Sequence, residues 1–231
     1  MSKTACIFIA AYNCPAYIMD CVQSIRNQRP VPGWQLDMRI GVDGCTRTAD
    51  VLRKNHVPFY WSEKNHGAYI IRNSLIYLRP ADAYIYFDAD DAMLPNHCVK
   101  NLSMMESYHA VMTGKIQTDS ALVALHKNPR IERGGAITFD AFALAAVGGF
   151  YRWRVAGDTD FMERLEMAGI RIYKCNVATY LRRRHPGAVT RSKVYGIRTE
   201  YRNHAWAEMT AQRNKGVVKI RPTIIKLIEV K

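Results

Sequence analysis

The chain has 231 residues, of which 48% are hydrophobic, and its 33 Lys and Arg against 20 Asp and Glu give a formal net charge of +13. This length fits one domain with a normal core, and no apolar run reaches the length of a bilayer span, so no transmembrane helix is expected. Six scattered cysteines without Cys-x-x-Cys pairs, and an N-terminus without a signal-peptide layout, predict a cytoplasmic protein with reduced thiols.

The first part of the chain predicts alternating buried strands and helices. Strands are predicted at 4–11, 36–42, 57–61 and 83–88, and helices at 16–28, after Thr46 and at 68–78. Strands and helices alternating at this spacing imply right-handed βαβ units. The expected architecture is therefore α/β with a mostly parallel sheet.

The most informative stretch is Ala83-Tyr-Ile-Tyr-Phe-Asp-Ala-Asp-Asp91, an apolar run that ends in Asp88, Asp90 and Asp91. Carboxylates crowded at the end of a buried strand lose solvation and repel one another, and a hard divalent cation with oxygen ligands relieves both penalties. The alternative is a solvated acidic turn that caps a helix starting near Asn96. Because open α/β sheets bind ligands at the carboxyl ends of their strands, the position favours the cation.

Beyond residue 96 the pattern is less regular. Helices are predicted at 96–107, 139–146, 158–168 and 194–213, the second of them closed by Gly148 and Gly149. Strands are predicted at 109–117 and 121–127, as a hairpin in a mixed sheet, and at 170–179. Residues 217–230 are short apolar runs around Pro222 to which no element is assigned.

Charge is concentrated at the C-terminal end. Residues 182–231 contain thirteen Lys and Arg against three acids. Such asymmetry predicts an anionic partner, whether nucleic acid, anionic lipid or charged glycan. The alternative, a basic solubilising tail, fits less well because this segment also carries aromatic and aliphatic residues.

Seven segments lie at predicted element ends, in the order Ala10-Ala-Tyr-Asn13, Asp43-Gly-Cys-Thr46, Asn65-His-Gly67 with Arg72-Asn73, Phe87-Asp-Ala-Asp-Asp91, Val147-Gly-Gly-Phe150, Gly157-Asp-Thr-Asp-Phe161 and Arg184-His-Pro-Gly187. No segment is specific alone, but together, over about residues 4–190, they resemble the family 2 glycosyltransferases of the GT-A fold, inverting enzymes that use nucleotide-diphospho-sugars. The resemblance implies a Rossmann-like, mostly parallel mixed sheet flanked by helices over residues 1–190. Residues 191–231 are then a basic helical extension packed on that domain.

The resemblance also implies roles for individual residues. Those expected to bind the nucleotide-sugar, with UDP the most frequent nucleotide, are Ala11, Tyr12, Asp43, Arg72, Asp88, Gly149 and Arg184. Those expected to hold Mn²⁺ or Mg²⁺ are Asp90 and His185. Asp158 matches the general base, and the acceptor side is assigned to Asp91, Trp153, Asp160, Arg191 and Tyr195.

Each assignment has a simpler alternative. Asp158 stands where a carboxylate can deprotonate an acceptor hydroxyl, but Asp is also a favoured N-cap. The family usually has an acidic pair here, and Gly157 replaces its first member unless Asp160 substitutes. His185 could be a surface histidine of a basic loop. Of the three arginines at 182–184, one is expected to clamp the diphosphate and the others to be solvated.

The acceptor is predicted from the basic segment, whose interleaved aromatics are Tyr180, Tyr195, Tyr201 and Trp206. Phosphate neutralisation combined with stacking is what nucleic-acid grooves use, so a polyanionic acceptor is predicted, most concretely a 5-hydroxymethylated pyrimidine in DNA. The competing interpretation is synthesis of a cell-envelope polysaccharide or lipid-linked glycan. In this interpretation a predicted apolar stripe would lie on anionic lipid, and in the simpler alternative it packs on the catalytic domain. The stripe consists of Val194, Ile197, Tyr201, Ala205 and Met209.

A function of another class is a non-catalytic module that binds nucleotide or nucleic acid on a transferase fold. The presence of both Asp90 and Asp158 argues against it. A nucleotidyltransferase is disfavoured because no Gly-rich phosphate loop with a following lysine lies near the first strand.

Overall fold

The computed structural model describes residues 2–125, 127 and 135–231. Within them one sheet contains nine strands: β1 (Lys3–Ala11), β2 (Trp34–Asp43), β3 (Phe59–Ser62), β4 (Ala83–Asp88), β5 (Ala92–Met93), β6 (Ala110–Thr118), β7 (Ile137–Asp140), β8 (Ile172–Arg183) and β9 (Ile228–Val230). The α-helices of these residues are α1 (Ile18–Arg26), α2 (Thr46–Lys54), α3 (Ala68–Ile76), α4 (His97–Met104), α5 (Ala141–Val147), α6 (Gly157–Met167) and α7 (Glu200–Asn214).

The strand order is β5-β8-β6-β7-β4-β1-β2-β3-β9. Strands β1, β2, β3, β4, β6 and β8 run in one direction, whereas β5, β7 and β9 run against their neighbours. The prediction of a mostly parallel mixed sheet is confirmed. The chain moves outward from β1 to β2 and β3 and then returns to β4 on the other side of β1, which makes the carboxyl ends of β1 and β4 a topological switch point.

Side chains of the central strand β1 alternate between two cores, one on each face of the sheet. Ile7 and Ile9 pack with residues of α1, α2 and α4, whereas Cys6 and Phe8 pack with residues of α3, α5 and α6. Because both faces are covered, β1 needs an unbroken apolar run, as does β4.

Two predictions for the middle of the chain differ from the structure, one in the existence of a strand and one in where a helix begins. Residues 121–125 form no strand, only a single bridge between Thr118 and Ala124, and β6 pairs instead with β7 and β8. Residue 126, within the predicted strand, lies outside the described residues. The predicted helix at 139–146 begins late, because Phe139 belongs to β7 and the Asp140 carboxylate caps α5 by accepting from the Ala143 amide at 2.8 Å.

The predicted helix at 194–213 is also shorter than expected. It begins at Glu200, after the Thr199 hydroxyl accepts from the Arg202 amide at 3.3 Å as its N-cap. Val194 and Ile197 therefore precede the helix and do not continue the apolar stripe. Among the described residues no helix combines the length and the apolar character that crossing a bilayer requires.

The C-terminal segment returns to the domain across α3 and α5. The Ile225 amide donates to the Ser74 hydroxyl at 2.9 Å, and β9 pairs with β3 and forms the edge of the sheet. Gly148 ends α5 with a φ of +77°, and a Cβ there would lie 2.1 Å from the Ile220 carbonyl oxygen. Glycine is therefore required where this segment passes α5.

His97 gives the fold a testable pH dependence. Its buried ring places Nδ1 2.8 Å from the Thr179 hydroxyl oxygen, and burial lowers its pKa from 6.5 to about 3. Below about pH 6.5 the unfolded chain binds a proton at His97 that the folded chain excludes. The contribution of neutral His97 to the free energy of unfolding is therefore complete above that pH and is lost as the pH falls towards 3. Between about pH 8 and pH 5, urea unfolding should report a loss of about 2 kcal/mol from this group.

The substitution His97→Gln removes the titrating group while keeping a polar side chain. The drop in unfolding free energy between the two pH values should shrink by about 2 kcal/mol in this variant. His204→Gln, the same change at an exposed histidine of α7, is the matched control and should behave as wild type. An unchanged pH dependence in His97→Gln would contradict the assignment.

Candidate active site

A cleft of about 800 Å³ opens where β1 and β4 end. These strands are parallel neighbours, so their carboxyl ends meet at one edge of the sheet. The start of α3, Gly135, the start of α6 and the segment after β8 complete the wall. The cleft brings together predicted site residues from distant parts of the chain, namely Tyr12, Arg72, Asp88, Asp90, Asp91, Asp158, Arg184, His185 and Arg191.

Three carboxylates converge where β4 ends. Ligand oxygens of Asp88, Asp90 and Asp91 all lie within 4.8 Å of one another. Burial raises the pKa of Asp88 above its ordinary value, with Arg72 opposing the shift and Asp90 adding to it. Burial and the two neighbouring carboxylates raise the pKa of Asp91 well above its ordinary value. Crowded carboxylate oxygens that are partly exposed to the cleft fit Mn²⁺ or Mg²⁺.

These acids do not cap a helix. The short strand β5 separates them from α4, which begins at His97 after Asn96. The interpretation of the stretch as a helix-capping turn is therefore wrong.

Asp88 is neutralised from α3. The Arg72 guanidinium donates from Nη2 to Asp88 Oδ1 at 2.5 Å and lies 4.0 Å from the centre of the Tyr86 ring. Arg72 is buried, yet it lines the cleft. Its position beside the cleft places a permanent positive charge next to any diphosphate bound there.

Asp91 is held by β8. Its Oδ1 accepts from the Arg183 amide at 2.8 Å, and the Arg183 side chain donates from Nε to the Asp90 carbonyl oxygen at 2.8 Å. Arg183 also donates to Asp20 at 2.6 Å and to the Ser120 carbonyl oxygen. Arg183 thus fixes the backbone of the acidic turn, a role that the sequence did not assign to it.

His185 contacts the acidic cluster through Asp90. Its Nε2 lies 2.8 Å from Asp90 Oδ2, its ring packs 4.6 Å from that of Tyr17, and the residue is 7% exposed. The alternative of a surface histidine is therefore wrong. Asp90 and His185 together offer a carboxylate oxygen and an imidazole nitrogen at one point of the cleft.

Asp158 faces the same cleft from the first turn of α6. The N-cap of this helix is Ala156, so Asp158 is not the cap that the alternative interpretation required. Asp158 Oδ1 accepts from the Tyr69 hydroxyl at 2.8 Å, and Oδ2 accepts from the Gly135 amide at 3.3 Å. Burial, followed by the Asp158 charge, raises the pKa of Tyr69 well above its ordinary value, so this hydroxyl stays protonated and donates.

The residue before Asp158 explains the departure from the family's acidic pair. A Cβ on Gly157 would lie 3.0 Å from Tyr69 ring carbons, so a side chain at 157 would displace the ring that orients Asp158. Tyr69 therefore fills the space beside Gly157 and donates the hydrogen bond that orients Asp158. The sequence carried no signal for this pairing.

Asp160 is not an acceptor-side residue. It is fully buried, and its two oxygens accept from Arg164 at 2.8 Å and from Arg213. It neither lines the cleft nor substitutes for the missing acid. Both predictions for Asp160 are wrong, because residues two positions apart on a helix point in different directions.

The structure places three residues predicted to bind the donor behind the cleft wall. Ala11 is buried in β1, and Asp43 is buried with its carboxylate accepting from the His66 and Gly67 amides at 2.7 and 2.8 Å. Gly149 is enclosed, its carbonyl oxygen accepting from Arg164 at 2.7 Å. Asp43 thus positions the loop before α3 rather than facing the cleft.

Two residues predicted to lie on the acceptor side pack against α7 and do not line the cleft. Trp153 makes edge contacts with the rings of Tyr201 and His204 at 5.9 and 5.7 Å. Tyr195 packs edge-on against Tyr201 at 4.9 Å. Direct contact of these rings with an acceptor is not what the geometry favours.

The aromatics expected to stack on nucleic-acid bases are packed against protein. Tyr180 is buried, and Tyr195, Tyr201 and Trp206 pack on the cluster formed with α7. Trp206 also lies under the Arg213 guanidinium at 5.0 Å. Tyr180 is therefore not available as a stacking platform, and the other three rings are only partly exposed.

Cations nevertheless dominate the rim of the cleft. Arg184 and Arg191 are exposed there, and Arg154, Arg182 and Arg202 also line it. The family resemblance predicts that one arginine of 182–184 contacts the diphosphate. Arg183 is excluded from that role because its side chain hydrogen-bonds to the acidic turn.

The role of Arg183 predicts an effect on cation binding. Arg183→Gln should weaken Mn²⁺ binding by about tenfold or more, as is typical when a residue that orients a ligand is lost. Asp20→Asn, which loosens Arg183 from its exposed side, should have a smaller effect in the same direction. Titration followed by the electron paramagnetic resonance of free Mn²⁺ measures both.

Arg53→Gln is the matched control, because this arginine makes an exposed ion pair on α2. It should leave Mn²⁺ affinity unchanged. Circular dichroism establishes that each variant is folded. Wild-type Mn²⁺ affinity in folded Arg183→Gln would exclude the positioning role.

Comparison with known proteins finds the same family that the segments resemble. Residues 6–208 match the family described as Glycosyl transferase family 2, whereas no curated protein matches the sequence. A solved structure of S. aureus TarS 1–349 in complex with UDP is similar at 16% identity and a TM-score of 0.63, over 80% of this chain and 61% of that chain. The mannosyltransferase PcManGT from Pyrobaculum calidifontis, in complex with GDP-Man and Mn²⁺, has 16% identity and a TM-score of 0.63, over 92% of this chain and 62% of that chain.

The chain thus spans about three fifths of the length of these two solved structures. At such identities the likeness shows the fold, and it confirms the predicted GT-A architecture. The family match is broader, since it extends over both the acidic turn and the Asp158 helix. From that match, the chain belongs to glycosyl transferase family 2.

Proposed function

We propose that this chain transfers a sugar, with inversion, from a nucleotide-diphospho-sugar to the hydroxyl of a phosphate-bearing acceptor. The observation that carries the proposal is that Asp90 and Asp158 line one cleft. An acidic cluster that fits a divalent cation and a separate, oriented carboxylate are the two groups that such a displacement needs. Had these aspartates faced different cavities, the reaction would have no common site.

The donor side is assigned to the acidic turn. A divalent cation held by Asp90 and His185 would supply Lewis-acid neutralisation of the leaving diphosphate. Arg72 adds a positive charge there, and exposed Tyr12 at the end of β1 offers a ring for the base. The solved neighbours in complex with UDP-GlcNAc, and with GDP-Man and Mn²⁺, support a nucleotide-sugar donor and this choice of cation.

Asp158 is assigned the proton transfer. Its carboxylate takes the proton of the acceptor hydroxyl as the acceptor oxygen bonds to the anomeric carbon. The anomeric carbon–oxygen bond to phosphate breaks, and the nucleoside diphosphate leaves with the electron pair. Tyr69 and the Gly135 amide hold Asp158 in place during this step. Attack opposite the leaving group inverts the anomeric configuration.

The acceptor side is assigned to the basic rim. Arg184 and Arg191 are exposed at the mouth of the cleft, where a phosphate beside the reacting hydroxyl would meet them. A hydroxymethylated pyrimidine in DNA and a lipid-linked glycan both carry such phosphates. DNA and a lipid-linked glycan differ in the chemical groups that accompany these phosphates, and the acceptor assay distinguishes the two.

The function is tested by an acceptor panel read by mass spectrometry. Several UDP- and GDP-sugars are incubated with Mn²⁺ and either duplex DNA, with or without hydroxymethylated cytosine or uracil, a lipid-linked phosphate or a neutral glycan. Transfer to a phosphate-bearing acceptor, and none to the neutral glycan, is the expected result. Tight nucleotide binding without transfer or donor hydrolysis would instead identify a non-catalytic module.

Asp158→Asn tests the base. Loss of a general base should lower the transfer rate by about 10²- to 10⁴-fold, while nucleotide binding measured by calorimetry stays near wild type. Asp50→Asn, at an exposed carboxylate of α2, is the matched control and should transfer normally. A normal transfer rate in Asp158→Asn would show that another group removes the proton.

Tyr69→Phe tests the orienting hydrogen bond. It removes the hydroxyl and keeps the ring that stacks on Phe150 at 5.6 Å. The loss of one hydrogen bond to a charged group should lower kcat by about tenfold without changing the KM for the donor. Tyr77→Phe, whose hydroxyl donates to the Gly148 carbonyl oxygen at 3.1 Å away from the cleft, is the control. An unchanged kcat in Tyr69→Phe would remove Tyr69 from the site.

A further inference from the structure

Residues 184–198, named the basic lip here, follow β8 and border the mouth of the cleft. Four cations are exposed in this segment, namely Arg184, Arg191, Lys193 and Arg198. Three branched apolar side chains are exposed among them, namely Val189 at 54%, Val194 at 57% and Ile197 at 65%. Single exposed apolar residues are common, but three within nine residues, interspersed with cations, are unusual.

The basic lip is an ordered turn. The Ser192 hydroxyl accepts from the Val194 and Tyr195 amides, both at 3.1 Å. The Gly196 amide donates to the Ser192 carbonyl oxygen at 2.9 Å, and the Ile197 amide donates to Thr190 at 3.0 Å. These hydrogen bonds hold the apolar side chains outward without support from a core.

In the basic lip the side chains that face solvent and those that face the protein are the reverse of the usual arrangement. Tyr195, which has a polar group, packs inward on Tyr201, while its aliphatic neighbours Val194 and Ile197 face solvent. If only the stability of the fold mattered, the aliphatic side chains would be buried and the tyrosine would be exposed. The arrangement therefore indicates a surface that another apolar environment covers.

We infer that the basic lip docks on the surface of an anionic lipid bilayer and holds the mouth of the cleft there. Cations attract anionic headgroups, and aliphatic side chains beside them enter the headgroup boundary. A single-strand groove would place open stacking rings between the cations, and the nearby rings of Tyr195 and Tyr201 are partly buried against α7. The exposed cations and aliphatic side chains of the basic lip together match a lipid surface better than they match nucleic acid.

Docking would orient the cleft. Val189 and Ile197 line its mouth as well as facing outward, so a bilayer in contact with them lies next to the site. The acceptor would then be a phosphate-bearing molecule anchored in that bilayer. This identification of the acceptor rests on the proposed function, whereas docking itself is measured without any turnover.

Co-sedimentation with vesicles tests the docking. The full chain is mixed with vesicles of phosphatidylcholine alone, or of phosphatidylcholine with phosphatidylglycerol, at low and at high salt. Binding to the anionic vesicles at low salt, much weaker binding to neutral ones, and partial loss at high salt are expected.

Two double variants separate the apolar and the charged contributions. Lys193→Gln with Arg198→Gln should weaken binding to anionic vesicles by about tenfold or more. Val194→Ser with Ile197→Ser should weaken it by a similar factor at both salt concentrations, since apolar insertion is not screened. Matched controls are Lys54→Gln with Lys100→Gln, and Val123→Ser with Phe142→Ser, exposed residues elsewhere on the surface.

Equal binding of wild type and both lip variants would overturn the inference, as would equal binding to neutral and anionic vesicles. A parallel titration with duplex DNA decides the alternative partner. Tight DNA binding that the charge variant weakens and the apolar variant leaves unchanged, without vesicle binding, would assign the basic lip to nucleic acid. Vesicle binding in a protein that hydrolyses no donor would leave the docking intact and remove the proposed function instead.

Discussion

The mutual repulsion of three aspartates at the end of a buried strand is the constraint on which this structure depends. Ligand oxygens of Asp88, Asp90 and Asp91 all lie within 4.8 Å of one another, and burial together with the neighbouring carboxylates raises the pKa of Asp88 and of Asp91. Distant segments stabilise them: the Arg72 guanidinium of α3 pairs with Asp88, and the Arg183 amide at the end of β8 donates to Asp91. The course of β8 alongside β5 and β6 is therefore tied to the chemistry of β4.

A second carboxylate is held apart from this cluster by different means. Asp158 lies in the first turn of α6, where the helix dipole favours negative charge, and Tyr69 and the Gly135 amide bind its two oxygens. The absence of a side chain at Gly157 is what lets the Tyr69 ring reach it. One cleft thus contains an acidic cluster suited to a cation and an isolated, oriented carboxylate, in agreement with membership of glycosyl transferase family 2.

The positive charge of the C-terminal part serves two purposes. Arg213 of α7 pairs with buried Asp160 of α6, and breaking such a buried pair from one side is strongly destabilising. This arginine ties the basic helix to the helix that carries Asp158. The cations at the rim, such as Arg184 and Arg191, have no such burial and remain available to an anionic partner.

The sequence by itself determined the order of most strands and helices and the end of β4 as a site, because hydrophobic period and acidic clusters are local signals. It also contained the residues that resemble the family, including Asp90, Asp158 and His185. Only the tertiary structure decided which neighbours those groups have. Tyr69 and Asp158 meet although they are 89 residues apart, and no local pattern marks such a pair.

The same reason explains the errors. Asp158 and Asp160 are nearly adjacent in sequence, yet one faces the cleft and the other a buried arginine pair, since a helix turns them to different sides. The aromatics of the basic segment were visible in the sequence, but their burial depended on where α7 packs. Residue types and spacing therefore specified the chemistry that was possible, and packing determined which groups perform it and which hold the fold together.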